Sequence, residues 1–185
     1  MMQTFARWLV KRLGWTLVEP PERPPRTVLI AYPHTSNWDA LYALLARQGL
    51  ALEAHWAAKD ALFRWPFGGL LRRLGGVAVN RRQRTGFVDQ MAAEFARRQR
   101  FMLVLAPEGT RSLTAGWKSG FYRIALAAQV PVGLGFIDYA RRRVGILAYI
   151  TLSGDPVQDM ATIAGHYREH CGKHPELASP IRWLD

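Results

Sequence analysis

At 185 residues, 49% of them hydrophobic, the chain is long enough for one domain with a substantial core and too apolar for disorder. Lysine and arginine number 25 against 14 aspartate and glutamate, and the net charge of +11 favours an anionic partner, either a membrane surface or a nucleic acid. The single cysteine, Cys171, excludes an internal disulfide and fits a reducing compartment.

Residues 1–18 carry Phe5, Trp8, Leu9 and Leu13 at helical spacing, interrupted by Arg7, Lys11 and Arg12. This predicts a short amphipathic N-terminal helix suited to a headgroup layer, or to the protein's own core, because an apolar stripe serves either. The segment is too short and too charged to span a bilayer, and it lacks the apolar core and cleavage site of a signal peptide. Residues 19–26, with four prolines, read as a stiff linker.

From residue 27 to 185 the pattern is one α/β domain. Val28 to Ala31 reads as a strand, Trp38 to Leu50 as a helix and Ala54 to Lys59 as a strand. A turn and short helix follow around Pro66, then a strand at Val77 to Asn80, a helix at Thr85 to Arg98 and a strand at Phe101 to Ala106. A helix over Lys118 to Ala128 precedes two strands, Val132 to Asp138 and Val144 to Thr151, joined as a hairpin. A last helix runs from Asp155 or Pro156 to about Glu169, before an irregular tail. Alternating strands and helices predict a mixed, largely parallel sheet flanked by helices.

Candidate chemistry gathers at two strand ends. After the first strand comes Tyr32-Pro-His-Thr-Ser-Asn-Trp-Asp39. His34 can take a proton near neutral pH, and a carboxylate at Asp39 can fix its tautomer. No serine or cysteine nucleophile pattern accompanies them, so the pair suits activation of a hydroxyl on a substrate. The same residues also form Ser36-x-x-Asp39, a capping box, and the two readings are compatible. After Phe101 to Ala106 comes Pro107-Glu-Gly-Thr-Arg-Ser112, where Glu108 and Arg111 put an acid and a base at another strand end. Arg111 can grip a phosphate with two parallel hydrogen bonds, although a surface turn pairing the two charges also fits. Gly76-Val-Ala-Val-Asn-Arg81 brings cations to a third strand end. His166 and His170 lie four apart on a helix but complete no metal pattern, so that helix reads as solvated.

In order and spacing, His34-x4-Asp39, Gly76 to Arg81, Pro107-Glu-Gly-Thr-Arg111 and Val130-Pro-Val132 resemble the four blocks of the glycerolipid acyltransferases, the lysophosphatidic acid acyltransferase or PlsC-like family. Trp117-Lys-Ser-Gly120 resembles the lysine-glycine helix start that follows the third block. Two departures stand out: Asn80 where many members have aspartate, and no second proline after Val132. Both leave the acceptor open. The resemblance implies acyl transfer from a thioester, acyl-CoA or acyl carrier protein, to the hydroxyl of a lysophospholipid such as 1-acyl-sn-glycerol-3-phosphate. It implies His34 as general base and Asp39 as its orienting partner. Glu108, Gly109, Thr110 and Arg111 would shape the acceptor site, with Arg111, Arg81 and Lys118 on phosphate. No metal or bound cofactor is called for. Together with the charge and the N-terminal helix, this predicts a peripheral protein on the cytoplasmic face of an anionic membrane. A non-catalytic lipid-binding protein on the same fold is the other reading. No recognised nucleic-acid motif supports a third, based on charge alone.

Overall fold

The computed structural model describes residues 2–64, 68–73, 75–79 and 86–184. The turn expected at Pro66, the strand end at Asn80 and the helix start at Thr85 lie outside them. Seven strands form one sheet: β1 (Thr16–Val18), β2 (Arg26–Tyr32), β3 (Ala54–Lys59), β4 (Gly76–Val79), β5 (Phe101–Leu105), β6 (Val132–Asp138) and β7 (Arg143–Ile150). Their spatial order is β1-β7-β6-β2-β5-β3-β4. Every neighbouring pair is parallel except β6 with β7, a hairpin turning at 139–142. The helices are α1 (Met2–Arg12), α2 (Trp38–Gly49), α3 (Gly68–Arg73), α4 (Gly86–Arg97), α5 (Gly120–Ala128) and α6 (Pro156–Tyr167). The α/β class and the largely parallel sheet expected from the sequence are therefore present.

The sheet is covered on both faces, as parallel sheets require. Side chains alternate along β2: Val28 and Ile30 join Met91 and Phe95 of α4, Phe121 and Ile124 of α5, and Met160 and Ile163 of α6. Leu29 points to the opposite face, with Leu50, Leu52, Met102 and Ile146. A third cluster, Val10, Trp15, Ala46, Ile137 and Val144, seats α1 and α2 against the hairpin strands. Asp155 caps α6 by accepting from the backbone N–H groups of Val157 and Gln158, with Pro156 at the first helical position.

The N-terminal segment differs from the expected single helix. α1 ends at Arg12, and Thr16–Val18 pair with Arg143–Gly145 as the edge strand β1. Three residues are too few to show a period of two, so the apolar run Trp15 to Val18 reads as more helix. Gly145 makes the pairing possible: its φ is +149°, and a Cβ there would stand 1.9 Å from the Val18 carbonyl oxygen. The proline-rich stretch is pinned as well. Arg23 pairs with Glu19 at 2.6 Å and donates to the carbonyls of Leu50 and Ala51 beyond α2. Arg7 of α1 donates to the Gly49 carbonyl at 2.7 Å.

Candidate active site

Because β2, β5 and β6 run parallel and adjacent, their C-terminal ends share one edge of the sheet, the position where open α/β sheets hold ligands. The loop carrying His34 leaves β2 there, the loop carrying Glu108 leaves β5, and Tyr139 follows β6. Val130-Pro131-Val132 lies at the opposite edge. Val132 opens β6, and the Pro131 carbonyl accepts from the Thr27 hydroxyl and the Val28 N–H. The fourth block is thus a strand start remote from His34.

Asp39 sits in the first turn of α2 and is buried. Its Oδ2 accepts the backbone N–H groups of Thr35 and Ser36, each at 2.8 Å, while the Ser36 hydroxyl accepts from Trp38 N–H. Only one arm of the expected capping box is present: Asp39 reaches back to the Ser36 N–H, but the N-cap is Asn37, the Ser36 hydroxyl meets Trp38, and Asp39 N–H donates to the Ser36 carbonyl. The loop so folded sets His34 Nδ1 3.4 Å from the same Oδ2. That contact is long for a hydrogen bond and can tighten when substrate binds. Oδ1 accepts the Tyr139 hydroxyl at 2.8 Å. Burial pushes the Asp39 carboxyl up, but the contact with His34, the loop N–H groups and Tyr139 outweigh it and hold the group below its ordinary value. The His34 side chain retains 23% exposure, and its Nε2 has no hydrogen-bond partner among the described residues.

Glu108 is 1% exposed, and both oxygens are engaged: Oε2 accepts the backbone N–H of His34 and Oε1 that of Ser179, each at 2.9 Å. The sequence reading put this carboxylate in the acceptor site. Its geometry makes it a clamp on the histidine loop, because that strand-end loop and the C-terminal tail meet over it with N–H groups that need an acceptor. Ser179, in the tail expected to be irregular, also accepts the Tyr32 hydroxyl on its carbonyl at 3.0 Å. Burial, with Glu108 nearby, pushes that phenol up to about 12. His174 N–H donates to Thr35 Oγ1, and Tyr139 N–H donates to the Cys171 carbonyl. The tail thus braces the site.

Gly109 closes a turn onto the Ala106 carbonyl with φ +69°. A Cβ there would stand 2.7 Å from Lys118 Nζ, so a side chain would displace the lysine that lies across this turn. Gly109, Thr110, Arg111 and Lys118 are exposed, and neither Arg111 nor Lys118 has an ion-pair partner among the described residues. The alternative in which Glu108 and Arg111 neutralise each other is absent, since Glu108 points inward. Arg81 lies outside the described residues. His170, expected on a solvated helix face, lies past the end of α6 with its Nδ1 3.3 Å from the buried Asp138 carboxylate.

A family model described as Acyltransferase matches residues 17–133, more than half of the chain. The chain belongs to the acyltransferase family. Every residue that the sequence singles out for the site lies within the matched segment of this acyltransferase, whereas the bracing residues Tyr139, Cys171, His174 and Ser179 lie beyond it. Among solved structures, the acyltransferase is similar to the 1-acyl-sn-glycerophosphate (LPA) acyltransferase PlsC from Thermotoga maritima, with a TM-score of 0.57 and 19% identity, over 89% of this chain and 74% of that one. At that identity the likeness is one of fold. No match was found among curated proteins.

Tyr139 and Ser179 escape the sequence reading. The one signal for Tyr139 is its place directly after a strand that neighbours the His34 strand. Nothing local marks Ser179, because its role depends on where the tail crosses the sheet edge.

Proposed function

We propose that this acyltransferase moves a fatty acyl group from acyl-CoA or acyl carrier protein to the hydroxyl of a lysophospholipid such as 1-acyl-sn-glycerol-3-phosphate. The observation that carries the reading is the suspension of His34. Glu108 holds its backbone, Asp39 faces its Nδ1, and Nε2 is left toward solvent. Nε2 accepts the proton of the acceptor hydroxyl as the oxygen attacks the thioester carbonyl. The imidazolium, stabilised by Asp39, then returns the proton to the departing thiolate as the C–S bond breaks. The acyl group exchanges sulfur for oxygen and no redox step occurs. Arg111 and Lys118, exposed and without an ion-pair partner among the described residues, supply charge for the acceptor phosphate beside the turn at Gly109, with Arg81 added by the family resemblance.

The site also needs lipid. Among the described residues no helix is long and apolar enough to cross a membrane. The packed pair α1 and α2 exposes Phe5 and Trp8 on one helix and Trp38, Leu41 and Leu44 on the other, and Lys173 Nζ lies 5.1 Å from the Trp38 ring. Trp38 is the fourth residue after His34, so a membrane met by this face lies beside the catalytic loop. An anionic surface on the cytoplasmic side matches the apolar face and the net charge.

The test is acyl transfer itself: purified protein, long-chain acyl-CoA or acyl carrier protein, and lysophosphatidic acid on vesicles, following thiol release and lipid product. Product from the wild type and almost none from His34→Ala is the expected result. Equal product from both removes His34 from the mechanism.

A further inference from the structure

Resting on that reading of His34 and Asp39, we infer that Tyr139 is a positioning residue for the pair, locking the Asp39 carboxylate through its hydroxyl while an aromatic stack rooted in the N-terminal segment locks Tyr139. The assignment of the two carboxylate oxygens is the starting point. Oδ2 is taken by two loop N–H groups and faces His34 Nδ1, and Oδ1 is taken, among the described residues, by the tyrosine hydroxyl alone. With both oxygens fixed, the carboxylate cannot swing about its terminal torsion, which is otherwise soft. Oδ2 therefore stays opposite Nδ1, which favours the tautomer with the proton on Nδ1 and the lone pair on Nε2, the form a general base needs.

The hydroxyl is suited to this and not to proton transfer. Burial and the neighbouring Asp39 raise the Tyr139 phenol well above its ordinary value, so it remains a donor throughout the working range. Its ring is held edge-on to Trp15 at 5.1 Å and to Tyr42 at 5.8 Å, and Trp15 stacks on Tyr42 at 4.0 Å. Edge-to-face packing of this kind fixes ring direction as well as burying area. The Tyr139 N–H is anchored on the Cys171 carbonyl at 2.9 Å. Trp15 precedes β1, Tyr42 belongs to α2 and Cys171 to the tail. Three separate segments thus aim one hydroxyl at Asp39.

Tyr139→Phe removes the hydroxyl and keeps the ring, and two readouts decide the matter. In acyl transfer, kcat is expected to fall about 10- to 100-fold with KM for donor and acceptor within about twofold, and the loss should vanish in the Asp39→Asn background. Independently of turnover, the imidazole nitrogen resonances of His34 in the labelled protein should shift from a single Nδ1–H form toward a mixture of tautomers. Identical His34 resonances in wild type and Tyr139→Phe overturn the inference, whatever happens to the rate, because a loss of packing alone would leave the tautomer in place. If the wild type turns over no thioester, the proposed function fails, and the resonance comparison still decides the role of Tyr139.

Discussion

Four backbone N–H groups and a phenol converge on two buried carboxylates around His34, whereas Thr110, Arg111 and Lys118, gathered at the turn of Gly109, stay exposed, and the two cations have no ion-pair partner among the described residues. One side of the site is fixed before any substrate arrives; the other keeps its charges hydrated. A group that must place a proton within hydrogen-bond reach gains from preorganisation, because misplacement by an ångström is expensive in rate. Charges that must catch a phosphate gain from reach and from the absence of a competing partner. Substitutions on the fixed side should therefore change kcat and stability, and substitutions on the open side should change KM and its dependence on salt.

The largest break in that contrast is His34→Ala. Loss of the base should lower kcat about 10³-fold with little change in melting temperature, since the ring is partly exposed. Thiol-release kinetics and a thermal scan check both halves. Glu108→Gln comes next. The amide presents a donor where the carboxylate accepted from His34 or Ser179, which costs about 2 kcal/mol, or roughly 4–8 °C in melting temperature, for a domain of this size. An unchanged melting temperature would mean that the clamp is dispensable. On the open side, Arg111→Ala and Lys118→Ala should each raise KM for a phosphorylated acceptor about tenfold at nearly constant kcat. The wild-type KM should rise with added salt more steeply than that of either variant. Loss of kcat without a change in KM would place these cations with the chemistry instead. On the apolar face, Trp8→Ser and Trp38→Ser should each weaken binding to anionic vesicles about fivefold, read by sedimentation, without moving the melting temperature.

The smallest effect concerns acid. The Asp39 carboxyl is held below 3.8 in the folded protein, so its ionised form adds stability that is fully present above the unfolded value of about 4 and fades as pH falls through the lower folded value. The gap in unfolding free energy between wild type and Asp39→Asn should shrink as pH falls below about 4. A gap that does not shrink there would contradict the hydrogen-bond network drawn around Asp39.

What is legible in the sequence follows from local physics. β5, α4 and α5 announce themselves by period and composition, and the loops after β2 and β5 are marked by residue types that carry chemistry. The reach of Asp39 back to the Ser36 N–H is readable because it is local, although the helix starts one residue later than a capping box at Ser36 implies. β1 is illegible at three residues, since only its pairing with β7 makes it a strand. The direction of Glu108 is illegible for a related reason. An acid and an arginine three apart in a turn pair across the surface in one fold, while in this one an approaching tail supplies Ser179 N–H and draws the carboxylate inward. Tyr139 depends on the sheet order, which sets β6 beside β2.

β1 has a practical consequence. Removing residues 1–18 is the obvious way to obtain a less adhesive protein, since Phe5 and Trp8 are exposed there. The same cut would strip the strand that covers β7 and leave a row of unpaired backbone groups open to edge-to-edge association between copies. It would also take away Trp15, on which the Tyr139 ring leans. A shortened protein that is aggregated and inactive would therefore report on the sheet and say nothing about lipid, whereas point changes on the outer face of α1 separate the two.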